Sequence, residues 1–322
     1  MGTALAMFVS AACVPPTINP AEPWPTPAAV DDDGPDGFSG THAFTLLERW
    51  LAAPRSLGDA RRQASIDALV DELARTGATI ERIDHAVVDP LDGRSYALTE
   101  IVAHLRPDAT RRFVLATHFD TRPWADEEPD PALHGTPVPG ANDGTSGLAV
   151  VLALVPPLLA RLPEHVGVSI VLFDGEELGH PEDAEGGYCM GSRHLATRIR
   201  DGAHPLLAAA ELGIVLDMVG DRDLHVLAEP GSRTQHPQLV EHLWQTAAGL
   251  GITAFDPEPR GRGIVDDHKF LGAAGIPSVL LIDREYVAWH RTDDTLDKVS
   301  AQSLDAVGDV VLRGLLTWFA AG

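Results

Sequence analysis

Apolar runs with the length of buried β-strands occur four times in this chain, and each run ends at a titratable residue. The runs are RRFVLATH, VGVSIVLFD, GIVLD and PSVLLID. Such nearly continuous apolar strands are typical of a sheet that helices cover on both faces. Segments with apolar residues at helical spacing alternate with them, among them SGLAVVLALVPPLLARL and QLVEHLWQTAAGLG. The alternation predicts an α/β fold with an open, largely parallel sheet between two layers of helices.

Further segments complete the predicted α/β domain. Helical spacing in HAFTLLERWLAAP and DARRQASIDALVDELARTG predicts two helices before the sheet, and SLDAVGDVVLRGLLTWFA predicts a closing helix. The segments ATIERIDHAVVD and SYALTEIVAHL are typical of two more strands. In the long apolar helix we expect an interruption at Pro156 and Pro157, because proline lacks the N–H that a helix interior uses.

The first 36 residues have the composition of a signal and a linker rather than of a packed domain. MGTALAMFVSAAC is a short apolar run of small residues that ends at Cys13, and residues 14–36 are rich in Pro, Gly and Asp. This order predicts a lipoprotein-type signal over residues 1–13, a lipid anchor on Cys13 and a disordered linker over residues 14–36. The protein would then be exported, as a periplasmic or cell-envelope lipoprotein. A basic segment before the apolar run is missing, so an N-terminal segment with a misassigned start is the alternative.

The acidic composition argues against two classes of partner. Lys and Arg together number 24, and Asp and Glu number 47, which gives a formal net charge of −23. A nucleic acid or an anionic bilayer would be repelled at long range. No apolar run reaches the roughly 18 residues of a membrane-spanning helix. We therefore expect a globular domain over residues 37–322, with no nucleic-acid partner and no transmembrane span.

Carboxylates and imidazoles follow the predicted strands, where the loops of an α/β sheet bind ligands. His118 follows one strand, Asp217 ends another, and His290 lies beyond the last. Asp143, in the glycine-rich turn PGANDGTSG, is a further candidate. Zinc binds His nitrogen and Asp or Glu oxygen, and a catalytic zinc keeps one coordination position open. Each residue alone fits a helix cap or a hydrogen-bonded surface group, but their joint placement at strand ends predicts a zinc site.

The pair Glu176–Glu177 comes directly after one of the buried strands. Adjacent carboxylates repel each other unless a cation lies between or beside them. A zinc ion would give the two glutamates different roles. One carboxylate would bind the metal, and its neighbour would stay free as a general base whose pKa the surroundings raise toward neutrality.

Six motifs, taken in order, give the chain a resemblance to the superfamily of M28-type zinc aminopeptidases and glutaminyl cyclases. They are FVLATHFDTR, GANDGTSG, FDGEELG, VLDMVGD, GIVDDHKFLGAAGIPSVLLI and AWHRTDD. The resemblance runs from about residue 40 to the C-terminus, so residues 37–322 would be one M28-like, zinc-dependent catalytic domain. It implies a single α/β domain of the zinc aminopeptidase (phosphorylase/hydrolase-like) type. Helices would flank a central mixed, mostly parallel sheet with a zinc site at its carboxyl edge.

Three details make the chain more similar to the cyclases of this superfamily than to its aminopeptidases. YCMGSRHLA follows FDGEE, as in the cyclases, and Asp266 stands where an aminopeptidase usually carries Ser or another residue. Trp289 directly precedes His290, and HFDTRPWADEEPDPALHGTPVPGANDGTSG is similar to bacterial cyclases. The resemblance implies a bacterial glutaminyl-peptide cyclotransferase. Such an enzyme converts the N-terminal glutamine of peptides or proteins to pyroglutamate and releases ammonia.

The resemblance also implies roles for individual residues. Asp143, Glu177 and His290 match the ligands of a single zinc ion, so we expect one Zn²⁺ per chain. Glu176 matches the catalytic acid and base. In this mechanism zinc polarises the γ-amide of the substrate glutamine, and Glu176 moves the proton.

Asp217 and Asp266 match two acidic residues that form a hydrogen-bonded pair in the active site, and Trp289 matches a wall of the substrate pocket. His118 and Asp217 also match positions that hold a second metal in the aminopeptidases, so sequence leaves the metal count open. The alternative function is a di-zinc M28 aminopeptidase that hydrolyses N-terminal residues. A binding domain that has lost its metal is the non-enzyme alternative, but it predicts lost ligands and the expected ligands are present.

One departure from the family pattern concerns the wall of the pocket. The tryptophan that follows the paired glutamates in animal cyclases is absent from ELGHPEDAEGG. We therefore expect that side of the pocket to be built from other residues in this chain.

Overall fold

Helices and strands alternate along the chain as the apolar pattern predicts. The computed structural model describes residues 37–89, 93–180, 187–258 and 262–320. Its helices are α1 Gly40–Leu51, α2 Arg62–Arg75, α3 Ser146–Arg161, α4 Met190–Arg200, α5 Pro205–Ala208, α6 Pro230–Gln235, α7 Pro237–Leu250, α8 Asp267–Ala273 and α9 Ala301–Ala320. Its strands are β1 Thr79–Val88, β2 Ser95–Leu105, β3 Arg111–His118, β4 Val166–Phe173, β5 Leu212–Asp217, β6 Val226–Leu227, β7 Phe255–Asp256 and β8 Ser278–Ile282.

The central sheet has six strands in the order β1-β2-β4-β3-β5-β8. Strand β3 lies between β4 and β5 and pairs in parallel with both, and β5 pairs in parallel with β8. Strand β2 runs antiparallel to β1 and to β4. Strands β6 and β7 form a small separate sheet. The predicted mixed, mostly parallel sheet of a single α/β domain is confirmed.

Helices cover both faces of this sheet, which explains why its central strands are apolar throughout. Helices α1, α3 and α9 contact one another, α7 contacts α9, and the four pack on one face with a large apolar core. Helices α4 and α8 pack together on the other face, over a second apolar cluster. Every residue of β4 is buried. A strand without a solvent-facing side needs no polar alternation.

The expected interruption of the long apolar helix is wrong. Helix α3 is continuous from Ser146 to Arg161 and contains Pro156 and Pro157 in its interior. The two prolines remove two backbone hydrogen bonds. The helix compensates through burial, since nearly all of its residues up to Leu158 are buried, and helices in proteins draw most of their stability from such packing.

Two expectations concern the N-terminus and membranes. The predicted signal, the linker and Cys13 all fall in residues 1–36, which lie outside the described residues. Within the described ranges, none of the helices combines the length and the apolar character that a membrane crossing needs.

The sheet topology explains where a site can form. Strands β3, β4, β5 and β8 are mutually parallel neighbours, so their carboxyl ends lie at one edge of the sheet. Loops that leave these ends converge and are the usual ligand-binding region of an open α/β sheet.

Candidate active site

The residues singled out from the sequence come together at this edge of the sheet. His118 is the last residue of β3, and Asp217 is the last residue of β5. Glu176 and Glu177 lie in a 3-10 turn just after β4. The others lie in or beside loops at the same edge: Asp143 before α3, Asp266 as the N-cap of α8, and Trp289 and His290 after β8. Chain segments more than 170 residues apart in sequence therefore build one site.

Asp143, Glu177 and His290 form the ligand trio, a group with one potential ligand atom per residue and all three atoms within 4.8 Å of one another. His290 Nε2 lies 3.4 Å from Glu177 Oε2 and 4.0 Å from Asp143 Oδ2. All three residues are buried. No described residue donates a hydrogen bond to the buried Glu177 Oε1. A buried carboxylate oxygen without a partner is costly, and an imidazole with two carboxylates is a donor set that zinc accepts.

Charged neighbours stabilise the ligand trio from behind. Arg122 donates to Glu177 Oε2 at 3.2 Å and to Asp126 at 2.6 and 2.7 Å. Asp126 Oδ1 lies 3.4 Å from Nδ1 of His290, which leaves Nε2 facing the other ligands. Burial alone would raise the pKa of Glu177, but the charges of His290 and Arg122 hold it well below its ordinary value. Glu177 is therefore ionised, the form that binds a metal.

Asp294 orients the third ligand of the trio through the backbone. Its two carboxylate oxygens accept hydrogen bonds from the backbone N–H groups of Asn142 and Asp143, at 2.8 and 3.1 Å. The hydroxyl of Tyr286 donates to the same carboxylate at 2.5 Å. These contacts tie the glycine-rich turn before α3 to the loop after β8, so that the two loops hold Asp143 and His290 in fixed relation.

His118 and Asp217, here called the histidine–aspartate pair, lie on the other side of Asp143. His118 Nε2 is 3.0 Å from Asp217 Oδ1 and 3.3 Å from Asp143 Oδ1. These three residues also lie within metal-binding distance of one another. Burial lowers the pKa of His118, but the negative charge of Asp217 and the nearby carboxylates of Asp120 and Asp143 raise it well above the ordinary value. In this arrangement His118 is a cation that neutralises its acidic neighbours.

Glu176 lies beside the ligand trio, with a carboxylate oxygen within 4.8 Å of potential ligand atoms of Glu177 and His118. It lines the same cleft as the trio and keeps 8% of its surface exposed. Asp120 accepts hydrogen bonds from the backbone N–H groups of both Glu176 and Glu177, at 3.3 and 3.2 Å. These bonds fix the turn that carries the two glutamates. Burial, together with the charge of Glu177, raises the pKa of Glu176 well above its ordinary value. A carboxyl group in this environment has the raised pKa that a general acid and base needs.

Asp266 and Asp217 both line the cleft, as the proposed pairing requires. Each carboxylate has a different hydrogen-bond partner in this structure. Asp266 accepts a hydrogen bond from the backbone N–H of Asp267 at 2.5 Å, and Asp217 contacts His118. Burial and the negative charge of Asp217 raise the pKa of Asp266 to about 7. One of two neighbouring carboxylates is protonated for this reason, which is also the condition for a hydrogen bond between them.

The cleft has a volume of about 470 Å³. Trp289 forms part of its wall and remains 39% exposed, with its ring stacked on that of His290 at a centroid distance of 3.7 Å. Cys189, Met218 and His290 have positive φ angles of 57°, 46° and 56°. Such strain in residues other than glycine persists where the surrounding structure imposes it, and it concentrates at active sites.

Tyr188 provides the pocket wall that the sequence left open. It lines the cleft, and its ring lies flat against Gly179, where any Cβ atom would meet the ring at 1.8 Å. Only glycine therefore fits at position 179. Arg122 lies 5.6 Å from the centre of the Tyr188 ring. Part of the segment before Tyr188, residues 181–186, lies outside the described residues.

Sequence reasoning missed the residues that hold the ligands. Arg122 is the last residue of the motif FVLATHFDTR, Asp294 is the last residue of AWHRTDD, and Asp126 lies four residues beyond Arg122. The sequence offered one signal for these residues, namely their position in or near the motifs that contain the predicted zinc ligands. That position does not reveal that Arg122 contacts Glu177, which is 55 residues away along the chain.

Comparison with known proteins gives the following relatives. The sequence profile described as peptidase family M28 matches residues 100–315. The structure is similar to that of Porphyromonas gingivalis glutaminyl cyclase, with 34% identity, a TM-score of 0.79 and coverage of 86% of this chain and 98% of that one. It is also similar to a zinc-dependent exopeptidase from Parabacteroides distasonis, with 30% identity, a TM-score of 0.78 and coverage of 86% and 97%.

A more distant relative comes from Bos taurus. The glutaminyl-peptide cyclotransferase-like protein of that species is 27% identical over 237 residues, which are 65% of this chain. The chain spans only 56% of the length of that relative. Cyclases and an exopeptidase therefore share this fold, and the residues of the site must distinguish between the two activities.

Proposed function

This chain belongs to peptidase family M28, and from that premise we propose that it is a zinc-dependent glutaminyl cyclase. It converts the N-terminal glutamine of peptides to pyroglutamate and releases ammonia. Its similarity to P. gingivalis glutaminyl cyclase over 98% of the length of that protein supports this activity. The observation that carries the proposal is the ligand trio with its unpartnered Glu177 oxygen, next to a cleft that Glu176 and Trp289 line.

The ligand trio would hold one zinc ion per chain. Its imidazole and two carboxylates fit the preferences of zinc, and Glu177 Oε1 lacks any other partner among the described residues. When bound there, zinc supplies Lewis acidity that makes the γ-carbonyl carbon of the substrate glutamine more electrophilic. Arg122 and Asp126 hold Glu177 and His290 in position for this task.

Glu176 moves the proton in the proposed reaction. The α-amino nitrogen of the substrate forms a bond to the carbonyl carbon of the γ-amide, and the bond from that carbon to the amide nitrogen breaks. Glu176 accepts the proton that the α-amine loses and returns it to the departing nitrogen, which leaves as ammonia. The glutamate ends the cycle in its starting state. No water molecule is consumed, which distinguishes this reaction from peptide hydrolysis.

Trp289 and the acidic pair would order the substrate. An intramolecular attack requires the α-amine to lie close to the carbonyl carbon of the γ-amide, so the folded glutamine side chain needs a wall. Trp289, stacked on His290, lies where such a wall would hold the side chain beside the ligand trio. Asp266, with a pKa of about 7, can carry a proton, and it lines the same cleft as Asp217, so the two carboxylates would share that proton in a hydrogen bond.

A di-zinc aminopeptidase is the second candidate function. His118, Asp143 and Asp217 also lie within metal-binding distance of one another, and the P. distasonis exopeptidase shares the fold. An aminopeptidase must activate a water molecule, commonly between two metal ions. The contact of His118 Nε2 with Asp217 Oδ1 at 3.0 Å disfavours this alternative, since these two atoms face Asp143 and already pair with each other.

The deciding experiment measures two products in parallel. The purified protein is incubated with a glutamine-initiated dipeptide and, separately, with a chromogenic aminoacyl amide. We expect ammonia from the dipeptide and little free amino acid or chromophore. Faster release of N-terminal amino acids than of ammonia would assign the aminopeptidase activity instead.

A further inference from the structure

Cys189 lies directly against the carboxylate of Glu176. Its thiol donates a hydrogen bond to Glu176 Oε1 across 3.1 Å, and both side chains are buried. Within the described part of the chain, this is the one hydrogen bond that the Glu176 carboxylate receives. Arg122 and Asp126 secure the zinc ligands, but neither contacts Glu176. The thiol therefore holds the group that the mechanism uses to move a proton.

The backbone joins the same two residues. The N–H of Cys189 donates to the carbonyl of Glu176 at 3.0 Å, and the N–H of Gly191 donates to the carbonyl of Asp174 at 3.1 Å. A Cβ atom at Gly191 would lie 2.3 Å from that carbonyl oxygen, so the start of α4 fits closely against the turn after β4. Cys189 has a φ of 57°, which directs the chain into this position. The thiol is thus placed by a rigid contact rather than by a mobile side chain.

The S–H group of Cys189 is the donor in its contact with Glu176 Oε1. Burial raises the pKa of Cys189 well above its ordinary value, and the negative charge of Glu176 adds to the effect. Glu176 Oε2 receives no hydrogen bond from any described residue, while Glu176 lines the cleft. The two oxygens of one carboxylate therefore differ in their surroundings.

We propose that Cys189 is a positioning residue for the glutaminyl cyclase reaction, and this inference rests on the proposed function. Its S–H group binds Oε1 of Glu176 and turns Oε2 toward the cleft. Oε2 is then the atom that takes the proton from the substrate α-amine and returns it to the departing ammonia. Without the thiol, the carboxylate could rotate away from this orientation.

The test compares Cys189→Ala with Cys189→Ser on a glutamine-initiated dipeptide. Alanine removes the donor, and we expect kcat to fall about 10-fold with KM changed by less than about 2-fold, at the low end of the loss of a hydrogen bond to a charged group because a thiol is a weak donor. Serine keeps a donor and should recover most of this loss. Zinc content should equal that of the parent protein in both variants.

Thr197→Ala is the control. Thr197 is exposed on the same helix α4, and its hydroxyl donates to the carbonyl of Arg193 at 3.1 Å, so the variant removes a hydroxyl hydrogen bond from this helix without altering a residue that lines the cleft. We expect its kcat to be unchanged. All variants are assayed at a temperature at which circular dichroism shows that they are folded.

Two results would overturn the positioning role. One is an alanine variant with the kcat of the parent protein. The other is an equal loss in the alanine and serine variants, since that would show that only the volume of the side chain matters. Failure of the cyclase assignment itself looks different, because the parent protein would then release no ammonia.

Discussion

The ligand trio and the histidine–aspartate pair share Asp143 but differ in how their polar atoms are satisfied. In the pair, His118 Nε2 lies 3.0 Å from Asp217, so an imidazole and a carboxylate satisfy each other. In the trio, no described residue donates to Glu177 Oε1, although Arg122 and Asp126 order its surroundings. A preorganised site with one unsatisfied ligand atom is suited to a resident cation, whereas two facing atoms that already pair with each other, His118 Nε2 and Asp217 Oδ1, have less to gain from one. The difference predicts one zinc ion rather than two.

The largest expected effect comes from removing a member of the trio. His290→Ala should lose bound zinc and should reduce ammonia release on the order of 10³-fold or more, because the Lewis acid is worth several kcal/mol in the transition state. Elemental analysis and an ammonia assay on the same sample measure both effects. Retention of stoichiometric zinc in this variant would mean that the metal is held elsewhere.

Glu176→Gln should separate proton transfer from metal binding. The amide has nearly the same shape but cannot accept a proton, so turnover should fall roughly 10²-fold or more while zinc content is unchanged. Single-turnover kinetics with a glutamine dipeptide provide the measurement. Near-normal rates with zinc retained would remove Glu176 from the mechanism.

Trp289→Ala tests the wall that lies beside the trio. If the ring positions the folded glutamine side chain, its loss should lower kcat as well as raise KM, because a misplacement of about 1 Å can cost on the order of 10²-fold. Val287→Ala is the control, since Val287 is a 72% exposed apolar residue of the same loop. A Trp289 variant that loses thermal stability but keeps its rate would assign the ring to packing alone.

The smallest effect on metal content is expected from the histidine–aspartate pair. His118→Ala should keep one zinc ion per chain, since none of the trio is altered. Its turnover should fall less than that of His290→Ala, because the substitution removes a positive charge near the acidic side chains but no zinc ligand. If activity disappears together with a second equivalent of zinc, the di-zinc aminopeptidase arrangement gains support.

The fold was largely predictable because burial leaves a strong mark on the sequence. Strand β3 coincides with the apolar run RRFVLATH, and five of the six strands of the central sheet fall within the predicted segments, while β5 begins one residue earlier than GIVLD, at Leu212. The error at Pro156 and Pro157 arose because a local rule was applied to a helix whose stability comes from tertiary packing. Helix α8 was not predicted from periodicity, because its seven residues are too few to give a periodic pattern.

The site was predictable to the level of its residues but not of their contacts. The motifs identified Asp143, Glu177 and His290, and the structure brings these residues together. The motifs did not reveal the contact between Asn142 and Asp294, which are 152 residues apart, or the hydrogen bond from Cys189 to Glu176. Such contacts depend on how separate loops meet, and a single sequence carries no local signal for that.

A zinc titration tests the central claim most directly. The metal-free protein is titrated with Zn²⁺ while ammonia release from a glutamine-initiated dipeptide is recorded at each addition. Our account predicts that activity rises linearly and reaches its plateau at one equivalent of zinc per chain. A plateau reached only at two equivalents, with no activity at one, would contradict the single-zinc cyclase.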